Sequence, residues 1–204
     1  MVAPAETLRP QELDEALAFR ERTGAIPFFG GSDLMVRHRG YTGTGPNIPG
    51  PVLFLDAIAA LRTVTVSDAA ITIGAGVSMT DMLAHPDIPP LLRDAVELVA
   101  APGIRNRASM AGNVCNASPA GDTIPPLYVH DADVVLTSLF GSRTVPITEF
   151  FTGPGATVLA PNEILTAITV PLLAEGRWYY RKVGTRKANA LSKLSAAGYA
   201  RVDN

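Results

Sequence analysis

The sequence predicts an α+β fold in three parts: a small β-α-β unit over residues 1–56, a larger mixed or antiparallel sheet with helices over 57–176, and the start of an incomplete C-terminal domain over 177–204. Three observations carry this expectation. Up to Asp56, short apolar runs that end in glycine or a polar residue flank a stretch with helix-like apolar spacing. From about Ala57 the spacing changes to the alternation of hairpin strands, broken by helix-like segments. The final stretch offers only one helix and two strand fragments, too few elements to close a core of their own.

In the first part, Thr7 to Arg22 places Leu8, Leu13, Ala16, Leu17 and Phe19 on helical spacing, opened by Thr7 or Arg9-Pro10. Ala25-Ile-Pro-Phe-Phe29 reads as a strand that feeds into Gly30-Gly31, with one or two helical turns from Leu34 to Arg39 behind it. A proline- and glycine-rich connector, Gly43 to Pro51, leads to a second buried strand, Val52 to Asp56. In the second part, Leu61–Ser67 and Ala70–Ala75 alternate as a hairpin that turns near Asp68 and Ala69. Thr80–Ala84 and Leu91–Ala100 read as helices, Pro125–His130 as a helix, and Ala132–Thr137, Arg143–Pro146 and Glu163–Val170 as strands of one sheet. Glu149 to Gly155 reads as a loop. The third part is expected to hold a strand from Trp178, a helix over 188–197, a strand start over 198–202 and a turn at Asp203-Asn204.

At 204 residues and 47% hydrophobic, the chain can bury a core in one or two domains. A formal net charge of −2 argues against a dedicated nucleic-acid binder, which needs a pronounced basic excess. The basic and aromatic cluster around Arg177, Trp178, Tyr179, Tyr180 and Arg181 does not outweigh that balance. No run approaches the roughly 18 apolar residues needed to cross a bilayer. Met1 to Glu6 lacks the pattern of a secretory signal, so a cytoplasmic location is expected. The single cysteine, Cys115, excludes an internal disulfide or a cysteine-ligated iron–sulfur cluster within this chain, and reads as a small buried filler. His38, His85 and His130 lie far apart without metal-ligand spacing, and read as surface or capping residues. No metal site is expected.

Two loops carry the chemistry. Pro27-Phe-Phe-Gly-Gly-Ser-Asp-Leu34 is a strand-to-helix turn whose backbone N–H groups can point at an anion, and Gly30 and Gly31 leave its approach open. Ser32 adds a hydroxyl donor, and Asp33 complements the helix start if its carboxylate turns away; taken alone, a plain turn or helix cap accounts for the same Gly-Gly-Ser-Asp. The second loop runs from Ile104 to Asp122 and is expected to be irregular and a poor core builder. It gathers Ser109, Met110, Ala111, Gly112, Asn113, Asn116, Ser118 and Asp122, short polar side chains and small residues suited to hydroxyls and phosphates. Arg105 and Arg107 suit phosphate or solvent equally. Gly74-Ala-Gly76 lacks the third glycine of a dinucleotide fingerprint and reads as a strand end and turn. Nothing resembles a catalytic constellation, so any chemistry is expected to belong to a bound cofactor.

The pair Phe29-Gly-Gly-Ser-Asp-Leu34 and Ile104-Arg-Asn-Arg-Ala-Ser-Met-Ala-Gly-Asn-Val-Cys-Asn-Ala-Ser-Pro-Ala-Gly-Asp122 resembles the FAD-binding medium subunit of molybdenum hydroxylases, the group of xanthine dehydrogenase, carbon monoxide dehydrogenase and aldehyde oxidoreductases. The likeness extends through Asp131–Leu136, Glu163–Pro171 and Lys182–Lys187. It implies a two-subdomain FAD-binding fold followed by a truncated third domain. It also implies FAD along Pro27 to Leu34 at its pyrophosphate and along Ser109 to Asn113 at phosphate and flavin-side atoms. Asp122 would hold a sugar or ribityl hydroxyl, Leu165 would pack on the cofactor, and Lys182 would lie near the flavin; Asn116 and Ser118 complete the set. Ala111 departs from the family, which usually has glycine there. The implied function is electron transfer within a heterotrimer: electrons pass from a molybdopterin-binding large subunit through a 2Fe-2S small subunit to this FAD, and then to NAD or another acceptor. The competing reading is a truncated, flavin-free assembly module that docks on the same partners.

Overall fold

The computed structural model describes residues 6–41, 45–187 and 189–201. The expectations on Met1 to Ala5, on residues 43–44 of the connector, on residue 188 of the expected helix, on residue 202 of the strand start and on the turn at Asp203-Asn204 lie outside the described residues. The first part contains β1 (Thr7–Leu8), α1 (Leu13–Thr23), β2 (Ile26–Phe28), α2 (Leu34–Arg37) and β3 (Val52–Phe54). The three strands form a parallel sheet in the order β1-β3-β2. The helix expected from Thr7 starts only at Leu13. Pro10 has no N–H and restricts Arg9 to extended backbone, which leaves Thr7-Leu8 free to pair with Val52-Leu53. α1 carries Asp14 and Glu15 in its first turn and Arg20 and Arg22 in its last, complementing its dipole, and ends at Gly24 with φ 62°. Its buried Ala16, Leu17 and Phe19 pack with Leu53, Leu55, Ile58, Leu61 and Ile164 as one core.

After a 3-10 turn at Ala59–Arg62, the second part supplies β4 (Val64–Val66), β5 (Ala70–Gly74), α3 (Met79–Ala84), α4 (Pro90–Glu97), α5 (Pro102–Arg105), α6 (Met110–Asn116) and α7 (Ile124–Val129). It continues through β6 (Asp133–Ser138), β7 (Gly141–Pro146), α8 (Ile147–Phe150), β8 (Phe151–Gly153), β9 (Ala156–Thr157) and β10 (Ile164–Pro171). Strands β4-β5-β10-β6-β7 make one antiparallel sheet in that order. Alternate residues Ile71 and Ile73, Val134 and Leu136, Ile168 and Val170 face one side and are fully buried. They pack with Met79, Met82, Leu92, Val96, Met110, Val114, Leu127 and Phe150 of the helices. Consecutive Ile164 and Leu165 point to opposite faces of β10 and enter different cores, and the register shift between Leu165 and Ala167 lets Leu165 share a face with Ile168 and Val170. The stretch expected as a loop at 149–155 is the end of α8 followed by β8, which pairs with β9.

Glu163 ties the two cores. Its carbonyl accepts from buried Arg20 of α1, while its carboxylate is paired with Arg143 of β7 at 2.6 Å. The Arg143 guanidinium holds the Glu163 carboxyl below the usual carboxylate range.

The last part is the hairpin β11 (Arg177–Gly184) and β12 (Ser192–Ala200), an antiparallel pair from Arg177↔Ala200 to Gly184↔Ser192. From Ser192 on, the stretch expected as a helix up to residue 197 is therefore a strand. Leu191 and Leu194 imitate helical spacing in an alanine-rich run, but continuous pairing with β11 outweighs that local propensity. The hairpin stands on α4 and α7, and Trp178 donates from its indole to Asp94 at 3.0 Å.

Candidate cofactor-binding site

The first wall of the site is the turn from β2 into α2. Gly31 has φ 66°, and a β-carbon there would sit 2.1 Å from the Phe28 ring. The N–H groups of Gly30, Gly31, Ser32 and Asp33 donate to no protein acceptor among the described residues. Asp33 turns its carboxylate to Arg37, 3.1 Å away, leaving the mouth of the turn clear of negative charge. Because α2 is only four residues long, its dipole contributes little, and the unpaired amides carry the attraction for an anion.

The second wall is the segment expected to be irregular. It is instead two short helices joined by Asn106 to Ser109. Ser109 accepts from the Gly112 N–H and caps α6, while Met110, Ala111 and Val114 enter the core, so the segment builds core as well as cradle. Apolar residues at spacing four put one face of α6 on the sheet, a signal hidden by its many polar residues. The Ala111 methyl group is taken up in that core. Gly30 and Arg107 bring the two walls into contact: a β-carbon on Gly30 would lie 1.6 Å from the Arg107 carbonyl oxygen. Arg37 also donates to the Asn116 side-chain oxygen.

A third wall was missed in the sequence. Gly74-Ala-Gly76 is a strand end and turn, but Gly76 lies against Phe29, 2.9 Å from a would-be β-carbon to the ring, and the Arg62 guanidinium stands over that ring, 5.6 Å from its centroid. Ser78, next in line, bridges to Ser109. No spacing rule flags Gly76 or Arg62, because their role exists only once Phe29 is folded beside them.

Several expected site residues are already engaged with protein. Asn113 accepts from the Thr123 hydroxyl at 2.7 Å, and its amide NH2 meets no acceptor among the described residues. Ser118 accepts from the Ala120 N–H and borders an apolar hollow with Pro119, Tyr128, Phe151 and Pro154. Leu165 is buried in the larger core. Arg105 donates to the Val99 carbonyl. Asp122 is buried and pairs with Lys182 at 2.7 Å, and it also accepts from Ser192 and Tyr180. Burial, and then the Asp122 charge, push the Tyr180 phenol up. Neither Tyr180 nor Ser192 carries a sequence signal.

Cys115 is only partly exposed, packs on the core, and has its thiol pushed up to about 12 by burial. His38, His85 and His130 all stand at helix C-caps, but His130 is buried, not on the surface. Among the described residues no cluster of His, Cys, Asp or Glu could hold a metal ion, and no helix is long and apolar enough to cross a membrane.

Unpaired amides at a glycine turn, a second capped helix against it and a rim of small polar side chains define an anion-cradling, cofactor-binding fold. Residues 3–173 match the family described as the FAD binding domain in molybdopterin dehydrogenase, and the chain belongs to that family. The xanthine dehydrogenase FAD-binding subunit of Escherichia coli is 34% identical over 155 residues, 72% of this chain and 52% of that protein. The carbon monoxide dehydrogenase medium chain of Hydrogenophaga pseudoflava is 32% identical over 139 residues, 66% of this chain and 48% of that protein. The chain thus spans about half the length of these relatives. A solved structure of carbon monoxide dehydrogenase from the same bacterium superposes with a TM-score of 0.88 at 27% identity, covering 100% of this chain and 72% of that one. The cofactor is FAD. The residues present fit it: a pyrophosphate needs several N–H donors, and the Gly30 to Asp33 turn holds them unengaged.

Proposed function

We propose that this chain is the FAD-carrying electron-transfer part of a molybdopterin-dependent dehydrogenase or hydroxylase. The observation that supports the reading is the contact of Gly30 with Arg107, which brings two loops far apart in sequence together. Pro27, Phe28, Phe29 and Leu34 frame the pyrophosphate turn, whose donors are the amides of Gly30 to Asp33. Ser109 to Asn113 form the facing wall, with Asn116 and Ser118 at its far end and Leu165 and Lys182 toward the flavin. In this arrangement residues 1–56 and 57–176 act as the two halves of the cleft, and 177–204 adds the hairpin.

The flavin supplies the redox chemistry; the chain binds it, orients it and limits its contact with water. Electrons arrive from 2Fe-2S clusters on a small partner, after oxidation of substrate at a molybdopterin-binding large partner, and leave to NAD or another acceptor. The names of the relatives support this assembly, and the single Cys115 is consistent with clusters on another chain. A cytoplasmic heterotrimer is the expected setting. The test is titration of the purified, flavin-stripped chain with FAD, followed by absorbance and fluorescence. Stoichiometric binding with a shifted flavin spectrum is the expected result. A chain that stays colourless and ignores added FAD would overturn the reading in favour of a flavin-free docking module.

A further inference from the structure

The two walls of the site are joined at a second point besides Gly30 and Arg107. Arg37, the last residue of α2, donates through one terminal guanidinium nitrogen to the side-chain oxygen of Asn116, the last residue of α6. The same nitrogen lies 3.1 Å from the Asp33 carboxylate, one turn back on its own element. It carries two N–H groups, so it can serve both acceptors. A single side chain thus links the turn that offers the unpaired amides to a residue 79 positions away on the facing helix.

Packing does little to fix α2. None of its side chains is buried, and Met35 and Val36 stand exposed. A helix of four residues is also too short to hold itself together. Asp33 adds an electrostatic difficulty. Its N–H is one of the unpaired amides of the turn, so its carboxylate belongs to a residue that faces the anion. A negative charge there repels a pyrophosphate unless a cation holds it aside. Arg37 is the cation in place, and at 55% exposure its side chain is not needed to fill a core.

We propose that Arg37 is a positioning residue for the cofactor: it straps α2 to Asn116, and it turns the Asp33 carboxylate away from the amides that receive the pyrophosphate. The effect on cofactor rests on the flavin reading above; the strap itself does not. The two roles leave different signatures. Loss of the strap acts through geometry and is indifferent to salt. Release of the Asp33 charge acts through Coulomb repulsion, which salt screens within about 10 Å at roughly 0.1 M. Arg37 and Asn116 work as one unit, so their effects on FAD affinity do not add.

The experiment titrates FAD at about 0.02 M and about 0.5 M NaCl into the parent chain, Arg37→Met, Asn116→Ala, and Arg37→Met combined with either Asn116→Ala or Asp33→Asn. Hydrogen exchange of the flavin-free proteins runs alongside. At low salt Arg37→Met is expected to lose about tenfold in affinity, a deficit that shrinks to about threefold at high salt. Adding Asp33→Asn should bring low-salt affinity back to about threefold below the parent. Asn116→Ala should lose about threefold at both salts, and combining it with Arg37→Met should lower affinity no further. Without cofactor, Arg37→Met and Asn116→Ala should both speed exchange of the hydrogen-bonded amides of Met35 to His38, with α1 unchanged. Parent-like FAD affinity in Arg37→Met would overturn the proposal. So would a loss that neither salt nor Asp33→Asn relieves, or losses that add, since the two residues would then meet the cofactor separately. If the parent binds no FAD, the functional reading fails and takes the cofactor effect with it. The exchange arm still decides on the strap, and unchanged exchange in both variants would refute it.

Discussion

The α-carbon of Gly30 lies so close to the carbonyl of Arg107 that a β-carbon would stand 1.6 Å from the oxygen and 2.4 Å from the carbon. Both partners are main chain, so no rotamer change can relieve the crowding. Gly30→Ala is expected to push the two walls apart, abolishing FAD retention and destabilising the fold by about 2–4 kcal/mol, roughly 5–10 °C in Tm. Gly103→Ala is the matched control. Gly103 lies in α5 with nothing within 4 Å of its would-be β-carbon, so that variant should be neutral or slightly stabilising. Flavin titration and thermal denaturation of both variants check the contrast.

Gly31 fails differently. Its φ of 66° strains a β-branched residue, and the added atom would meet the Phe28 ring at 2.1 Å, a side chain that can swing. Gly31→Val should therefore lose flavin while most of the fold remains, with far-UV circular dichroism close to that of the parent. Unchanged flavin content would place the pyrophosphate elsewhere.

How much of this could be read from the residues follows from the range of each interaction. The strands around Ile71, Val134 and Ile168 were legible because burial on one face writes a period of two into the sequence. The glycine turn at Gly30-Gly31 was legible because its chemistry is local. The strand β12 was not, since its pairing with β11 competes with a helix-like local composition. Nor was the partnership of Asp122 with Lys182, Ser192 and Tyr180, where each residue alone is unremarkable and only the fold assembles them. Gly76 against Phe29 belongs to the same class of contact.

Arg20 offers a test of the link between the two cores. Its guanidinium is buried, donates to the carbonyls of Glu163 and Ala25, and has its pKa lowered by that burial. Arg20→Met keeps much of the stem but leaves two carbonyls without their charged donor. Hydrogen bonds to charged groups contribute about 1.5–3 kcal/mol, so a loss of about 2–3 kcal/mol in urea unfolding is expected. A loss below about 0.5 kcal/mol, the range of ordinary surface changes, would show the tie to be energetically idle.

Cys115 should be chemically silent in the folded chain. With its thiol pushed up to about 12, the thiolate is scarce at any physiological pH, and the side chain packs on the core. Iodoacetamide at roughly pH 8 is expected to leave it unmodified in native buffer and to label it fully in denaturant. Fast native labelling, read by mass spectrometry, would contradict that packing.

His130 sets the expected acid limit of stability. Its Nδ1 lies 2.8 Å from the Pro171 carbonyl, which can only accept, so the proton is on Nδ1. Its Nε2 is buried without a partner among the described residues, so a second proton would have no acceptor there. Burial accordingly lowers the pKa below the ordinary 6.5, a shift that the bond to Pro171 only partly opposes. With the folded pKa below the unfolded one, the unfolded chain binds more protons across that window. The contribution is fully present above 6.5 and is lost as pH falls through the folded pKa. His130→Asn can keep a donor toward Pro171 while removing the titration. As pH falls below about 6.5 the parent should therefore lose more stability than the variant, measured by urea unfolding. Parallel losses in the two proteins would assign the acid sensitivity to other groups.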